Sequence, residues 1–588
     1  MKINTIVGEI EAKGNFGNEW RVSLERIGAE TGVELIKLRL EADSPLVPPE
    51  MSLVWSVPQL DMQTRWTPSA GFNRNIPPDW GGPLCSNLAS SAPLMSFINL
   101  KGQNRMTIAF SEAMRFVKLF GGVCEESNRI SCRIVLFSEP EAPLQSYEAV
   151  LRIDTRGIFY ADAIRDVTAW FASLEEYKPS VAPEAAFEPI YSSWYSYHQD
   201  VFDRDLEQEC ELAGTYGMKG IIVDDGWQTE DNQRGYAFCG DWEISKRRFP
   251  DMRAHVARVH KLGLKYVVWY SVPFVGDKSR VCERFAGKFL YHSDRLNTSV
   301  LDPRFPEVRE YLINIYETAV KEWDIDGFKL DFIDSFRIDG EDPAIRENYA
   351  GRDVKSVPCA VDILLSEAMR RLRALKPEIL IEFRQSYIGP AVRKYGNMFR
   401  AGDCPADVLA NRVRTIDLRL TSGKTAVHSD MLEWNSADTP EHAALQLLHV
   451  LFSVPQISVR LNDIPEEHRR MLHFWLDFCV RHRDVLLKGY LKPFHPELNY
   501  PIVSAENGEE KVIAVYNFGQ YVKIACEPGK TCYVVNATGR SELIVELQSE
   551  PAYAELLDTM GRAVQSPVLK SGFARIPVPA SGLMILKF

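Results

Sequence analysis

The chain has 588 residues, 45% of them hydrophobic and 25% charged. That is the composition of a globular protein and not of a disordered or fibrous one, and at about 150 residues per domain it calls for roughly four units, or fewer if one is a large barrel. Lys and Arg number 68 against 80 Asp and Glu, a formal charge of -12, and no basic run is present that could neutralise a row of phosphates, which argues against a nucleic-acid partner.

Met1 to Gly14 interrupts its apolar residues with Asn4, Glu9 and Glu11, so no secretion signal is read there. To about residue 180 the chain alternates in short segments such as Val33 to Leu40, Met106 to Phe110 and Ile130 to Phe137, the pattern of an antiparallel β-sandwich over 1–180. A helix-like Ala161 to Tyr177 and the Pro-containing stretch Lys178 to Pro189 close this unit. Apolar strands then alternate with amphipathic helices over 185–490. Eight strands are expected: Pro189 to Tyr195, Gly220 to Asp225, Leu264 to Val272, Gly327 to Ile333, Ile379 to Gln385, Met398 to Asp403, Lys424 to Met431 and Gln456 to Leu461. Eight such units predict a (β/α)8 TIM barrel, an α/β fold with its chemistry at the carboxyl ends of the strands. Alternation returns over 494–588, in Lys511 to Tyr516, Thr531 to Val535 and Leu583 to Phe588, which predicts a small C-terminal β-sandwich.

No run of about 18 apolar residues occurs, because the strongest, Tyr266 to Val275, contains Ser271 and Pro273; no membrane partner is expected. Eleven cysteines without a CxxC pair fit reduced thiols in a cytoplasm better than a disulfide framework or a structural zinc site. A homo-oligomer is compatible with everything above.

The expected strand ends carry Trp194, Asp224 with Asp225, Trp269, Lys329 with Asp331, Arg384, Arg400 with Asp403, and Asp430. A lone Asp after a strand is commonly a helix cap or turn former. Asp331, however, sits inside Phe328-Lys-Leu-Asp-Phe-Ile333, too apolar for a turn, and needs a compensating partner, for which Lys329 on the same strand face is a candidate. Facing carboxylates at a barrel mouth suit metal-assisted chemistry or glycoside hydrolysis. Only His428 lies near a strand end, with His198 just past the first strand, and no HxH or HExxH spacing occurs, so a transition-metal site is disfavoured. No metal or organic cofactor is expected.

Trp194, Val223-Asp-Asp-Gly-Trp227, Gly240-Asp-Trp-Glu243 followed by Lys246 to Pro250, and Phe328-Lys-Leu-Asp331 resemble, in order and spacing, the α-galactosidases of glycoside hydrolase family 36 in clan D. The resemblance implies Asp331 as catalytic nucleophile, Asp403 as acid/base, and Asp224 with Asp225 as a clamp for the 4- and 6-hydroxyls of the sugar. Lys329 would hold Asp331 ionised, and a less compensated Asp403 would keep its proton. Trp194, Trp227, Trp242 and Trp269 are candidate pocket walls, with Lys329, Arg384, Arg400 and Asp430 as further substrate-binding groups. Trp66, in a Pro-bounded segment, either closes the pocket from above or packs an interface between domains. The chain departs from the family where a Cys and a glycine run are common: it reads Ile381-Glu-Phe-Arg-Gln-Ser-Tyr387, which puts Arg384 and Gln385 beside the pocket, where Arg384 either favours an anionic or differently substituted sugar or, the preferred reading, is neutralised by Glu382. Near the acid/base it reads Gly402-Asp-Cys-Pro-Ala-Asp407, which makes Asp407 a rival proton donor.

The expected activity is therefore that of a retaining exo-α-glycosidase, an α-galactosidase acting on a small oligosaccharide or glycoside through a covalent intermediate. The alternatives are a clan-related transglycosylase, an α-glycosidase for another sugar, and a non-catalytic carbohydrate-binding protein.

Overall fold

A computed structural model describes residues 1–233 and 235–588. Alternating side chains build the N-terminal sandwich as expected. One six-stranded sheet has Met51–Pro58 and Arg129–Leu136 at its centre, and the other is built around Val33–Leu46 and Leu144–Asp154. Leu38, Leu40, Leu53, Trp55, Ile108 and Ile134 fill the space between them. The inward set recurs every second residue, so both sheets bury one face against the other.

The barrel closes from eight parallel strands: β1 (Ile190–Ser192), β2 (Gly220–Val223), β3 (Lys265–Ser271), β4 (Gly327–Asp331), β5 (Leu380–Arg384), β6 (Met398–Arg400), β7 (Ala426–Leu432) and β8 (Val454–Ile457). Each lies within or overlaps an expected strand. A three-stranded antiparallel sheet of Phe274–Gly276, Phe289–Ser293 and Thr298–Leu301 interrupts the rhythm between β3 and β4. Its short strands carry no helical period, and the sequence reading passed over them. A seven-stranded and a three-stranded sheet follow β8 and enclose Ile513, Val534, Val545 and Leu586, a second, smaller sandwich. The architecture is thus the expected α/β barrel flanked by two β-sandwiches.

Trp66 ends the edge strand Thr64–Trp66 and is completely buried. Its indole N–H donates to the Tyr500 hydroxyl at 2.8 Å and to Asp417 Oδ1 at 3.2 Å. Asp417, on the barrel helix Val408–Thr421, also accepts from Arg74 at 2.8 and 2.9 Å and from Tyr500 at 2.5 Å. These residues join the N-terminal sandwich, the barrel and the connection between the first two strands of the seven-stranded C-terminal sheet, Tyr490–Phe494 and Ile502–Glu506. The pocket role of Trp66 is corrected accordingly: its one polar atom is committed to a buried interface, and no face is left for a sugar.

A buried ion pair that loses one partner leaves an uncompensated charge, at a cost of about 3–5 kcal/mol. Asp417→Ala, which strands Arg74, is expected to lower the thermal unfolding temperature by several degrees. An unchanged unfolding temperature would refute the bridging role.

Candidate active site

Strand alternation places the chemistry. On β4, Phe328 and Leu330 join the core shared with the surrounding helices, so Lys329 and Asp331 point into the barrel. In the ladder Trp269 pairs with Lys329 and Lys329 with Glu382, while Arg384 pairs with Arg400 and Arg400 with His428. Two steps beyond the Lys329 level, Asp331 therefore meets Arg384 from the neighbouring strand. Asp224 and Asp225 follow β2 directly. The turn behind them requires Gly226, at φ +123°, because a Cβ there would lie 2.5 Å from the Gln199 carbonyl oxygen.

Asp331 is 6% exposed. Its Oδ1 accepts from Arg384 Nε at 2.8 Å, from the Tyr387 hydroxyl at 2.5 Å and from the Phe332 amide at 2.8 Å, whereas Oδ2 accepts from Trp269 Nε1 at 3.1 Å. Burial pushes this carboxyl up, but Arg384, and after it Lys329, outweigh burial and hold it below the usual range. Asp331 is thus a carboxylate at neutral pH, with one oxygen saturated and the other accepting a single hydrogen bond.

The expected partner of Asp331 needs correction. Lys329 Nζ lies 2.5 Å from Asp224 Oδ2, and its long stem crosses the barrel to β2 while Arg384 takes the direct contact on Asp331. Glu382 does not neutralise Arg384 either. It accepts from Gln456 at 2.5 Å and lies 3.7 Å from Arg400, because it sits one layer deeper than Arg384 on the same strand. Arg384 has a second bond to the Gln385 carbonyl at 3.0 Å, and its guanidinium lies over the rings of Phe332 and Tyr387.

Asp403 also departs from expectation. Its side chain is 52% exposed and accepts from Arg400 Nη2 at 2.8 Å. Burial would raise its pKa, but Arg400, Lys329 and Arg384 together hold it far below the usual carboxylate range. These cations therefore keep Asp403 ionised, not protonated. Asp407 caps the helix Val408–Thr421 by accepting from the Ala410 amide at 2.9 Å, the local structural role that its sequence context allows.

Arg400 and Asp430 are each at most 1% exposed and bind one another. Asp430 further accepts from the Cys404 amide at 2.6 Å and from the Tyr195 hydroxyl at 2.9 Å. Both act as a support behind Asp403, which corrects their substrate-binding role. Trp227 is corrected too: it is completely buried, its indole N–H donates to the Trp269 carbonyl at 2.9 Å, and it stacks on Trp242. Trp242, 7% exposed, packs against Trp269 and Tyr270. Both indoles therefore buttress Trp269. Half-buried Trp194 stands beside His198, with ring centroids 4.9 Å apart.

Asp224 Oδ1 accepts from the Asp225 amide at 2.9 Å. Asp225 accepts from Gln228 at 2.6 Å and from Gln199 at 2.7 Å. Its burial outweighs these donors and, with Asp224 adjacent, pushes its pKa up to about 7. Sequence reasoning missed Gln199, Gln228, Tyr195 and Tyr387. All four lie beyond strand ends, where no periodicity signals which way a side chain points. Among the described residues no group of three or more His, Cys, Asp or Glu is placed to hold a metal ion.

The melibiase family model matches residues 163–382. Alpha-galactosidase Mel36A of Lactobacillus acidophilus is 28% identical over 153 residues, covering 24% of this chain and 20% of that protein. Alpha-galactosidase C of Emericella nidulans is 26% identical over 163 residues, covering 24% and 21%. The chain thus spans about a fifth of the length of these curated relatives. Over 97% of this chain and 81% of the other, the fold matches a variant of the GH36 alpha-galactosidase AgaA from Geobacillus stearothermophilus in complex with raffinose, with a TM-score of 0.64 and 13% identity. The galactosidase domain of the alpha-galactosidase-sucrose kinase AgaSK aligns over 97% and 80%, with a TM-score of 0.63 and 11% identity. The family match includes Asp224, Asp225, Lys329 and Asp331 and stops before Arg384 and Asp403.

Arg384 is the largest influence holding Asp331 ionised, so Arg384→Ala is expected to raise the Asp331 pKa. The acid limb of kcat/KM, which reports ionisations of the free protein, should then move to higher pH. A pH–rate profile with an unmoved acid limb would show that Arg384 does not set this ionisation.

Proposed function

We propose that the chain is a glycoside hydrolase of the melibiase type, a retaining α-galactosidase that releases terminal α-galactosyl residues. The observation that carries this reading is Asp331, an ionised carboxylate at a barrel strand end within the melibiase-matched segment. Its Oδ1 is saturated by three donors and its Oδ2 keeps a lone pair for attack. In the first step Oδ2 attacks the anomeric carbon while the bond to the leaving oxygen breaks and that oxygen takes a proton. In the second step water, giving up a proton, displaces Asp331 and restores the configuration.

Asp403 is the proposed proton carrier, since it is a carboxyl group at the mouth that remains half exposed while Asp331, Asp224, Asp225 and Asp430 are buried. To act as an acid it must take up a proton and leave Arg400, which stays held by Asp430 and the Ala401 carbonyl. Arg400 thus sets the cost of the protonated state. The galactose preference rests on Asp224 and Asp225. Each of their oxygens accepts one protein hydrogen bond, and a carboxylate oxygen has room for a second. Two adjacent acceptors can therefore take the 4- and 6-hydroxyl protons of one epimer, and the other epimer leaves one of these buried acceptor sites unfilled. Location in the cytoplasm belongs to the same proposal and follows from the cysteine usage.

Asp331→Ala should abolish turnover of a nitrophenyl α-galactoside with the fold intact, and a fluorinated galactosyl inactivator should label the peptide carrying Asp331; a label elsewhere would overturn the assignment. Asp403→Ala should spare substrates with good leaving groups, cripple those with poor ones, and recover with azide. If Asp407→Ala behaves that way instead, the proton carrier is misassigned.

The clamp adds a pH dependence. With its pKa near 7, Asp225 is increasingly protonated below neutrality and loses an acceptor. The inhibition constant of a neutral α-thiogalactoside is expected to weaken as pH falls through about 7, and Asp225→Asn should weaken binding and remove that dependence. Binding that is independent of pH between 5 and 8 (about the range in which a group of this pKa titrates) would refute the role of Asp225.

A further inference from the structure

Most buried arginines of this chain carry a carboxylate partner. Arg74 takes Asp417 at 2.8 Å, Arg304 takes Asp302 and Asp342 at 2.9 and 2.7 Å, and Arg400 is held between Asp430 and Asp403. Arg412 has none, but it bonds His449 and the Asn499 carbonyl and lies over the Tyr516 ring. Arg393 has neither kind of compensation. It sits in the 3-10 turn Val392–Lys394, on the segment that continues from Tyr387, and is 3% exposed. Among the described residues its side chain makes one hydrogen bond, from Nε to Thr425 Oγ1 at 3.3 Å, and no carboxylate lies within ion-pair distance. Asp362, beside this turn, is taken by Lys394 at 2.6 Å and by the Tyr395 hydroxyl. Burial alone acts on the Arg393 pKa and pushes it down to about 10. The guanidinium therefore stays charged at neutral pH, and a buried charge without a counter-charge is strongly penalised.

A cavity of about 10 Å³ lies against this side chain. Leu94 of the sandwich, Thr168 of the helix Tyr160–Ser173, Ile388 of the segment after β5 and Thr421 at the end of the helix Val408–Thr421 line it together with Arg393. A single water-sized particle needs roughly 10–15 Å³, so one small ion fits and an organic anion does not. The two threonine hydroxyls are loosely engaged. Thr168 Oγ1 donates toward the Ile164 and Leu420 carbonyls, both at 3.1 Å, and Thr421 Oγ1 toward the Asp417 and Leu418 carbonyls at 3.2 and 3.3 Å. A well-made O–H···O bond is about 2.7–2.8 Å, so each hydroxyl can turn its proton to a ligand in the cavity. The carboxyl end of the helix Val408–Thr421 also approaches Arg393, since a Cβ on Gly423 would lie 2.5 Å from Nη2. Its dipole brings roughly half a negative charge, which leaves the guanidinium under-compensated, and a water molecule carries no charge to supply the rest.

We infer that this cavity is a site for one monatomic monovalent anion, chloride under ordinary conditions, held by the Nη groups of Arg393 and the hydroxyls of Thr168 and Thr421. The site goes beyond the α-galactosidase reading and does not depend on it. Its walls come from three parts of the chain, so a bound anion fastens the sandwich to the barrel segment that continues from Tyr387, the residue that holds Asp331.

The test follows thermal unfolding of the unaltered protein and of Arg393→Gln in increasing sodium chloride and, at the same ionic strength, in sodium gluconate, whose anion is too large for the cavity. Chloride should raise the unfolding temperature of the unaltered protein saturably, by about 1–2 °C at tenfold excess over Kd, and gluconate should give no saturating component. In Arg393→Gln the two salts should act alike. Absence of a saturable chloride effect in the unaltered protein, or its survival in Arg393→Gln, overturns the site. Crystals of the unaltered protein soaked in sodium bromide locate the ion without a variant, which keeps the test intact if Arg393→Gln fails to fold. An anomalous peak within hydrogen-bond reach of the Arg393 Nη atoms is expected. No peak there overturns the assignment, and so does a peak without chloride-specific stabilisation, which would mark an adventitious ion only.

Discussion

The structure depends on how carboxylates are kept charged inside a barrel mouth. Burying an ion without a partner costs several kcal/mol, and Asp224, Asp225, Asp331, Glu382 and Asp430 are all buried at one end of the barrel. Three cations answer them: Lys329 on Asp224, Arg384 on Asp331, and Arg400 between Asp430 and Asp403. Where burial outweighs the available donors the proton is retained more strongly: the pKa of Asp225, which no cation reaches, is raised, and so are those of Glu382 and Asp430 beside Arg400. This division gives neighbouring groups of the same type different protonation states, the prerequisite for acid and base work at one pH.

The same constraint explains why the chain can differ from a more common glycine-rich arrangement after β5. Arg384 brings bulk, yet it also brings the strongest compensation for Asp331, and Tyr387 on the same loop adds a second donor. Ser91 of the N-terminal sandwich holds that loop through Ser386. The sandwich is therefore part of what orients the nucleophile, and the buried cluster of Trp66, Arg74, Asp417 and Tyr500 fastens the sandwich to the barrel.

Much of this was legible in the sequence. All eight barrel strands could be read because buried parallel strands are short apolar runs bounded by turns, and the intervening helices repeat at 3.6 residues. Asp331 stood out because an acidic residue within an apolar strand demands a partner. The three-stranded sheet between β3 and β4 escaped, since its strands are short and only partly alternating. Trp66, Trp227 and Trp242 were equally legible as aromatic residues, but hydrophobicity alone does not distinguish an indole that lines a pocket from one that supports it.

Local periodicity along the chain was enough to set the eight barrel strands in order and to show which acidic residues stand at their ends. Only the tertiary structure decided which cation meets which carboxylate. Lys329 and Asp331 are two residues apart, yet Lys329 reaches across the barrel to Asp224, and Asp331 takes Arg384 from 53 residues further along. Electrostatic pairing depends on distance in space, and the stagger of neighbouring strands together with side-chain length sets that distance. The protonation states of Asp331, Asp403 and Asp225 follow from those pairings and from burial, neither of which exists until the barrel has closed.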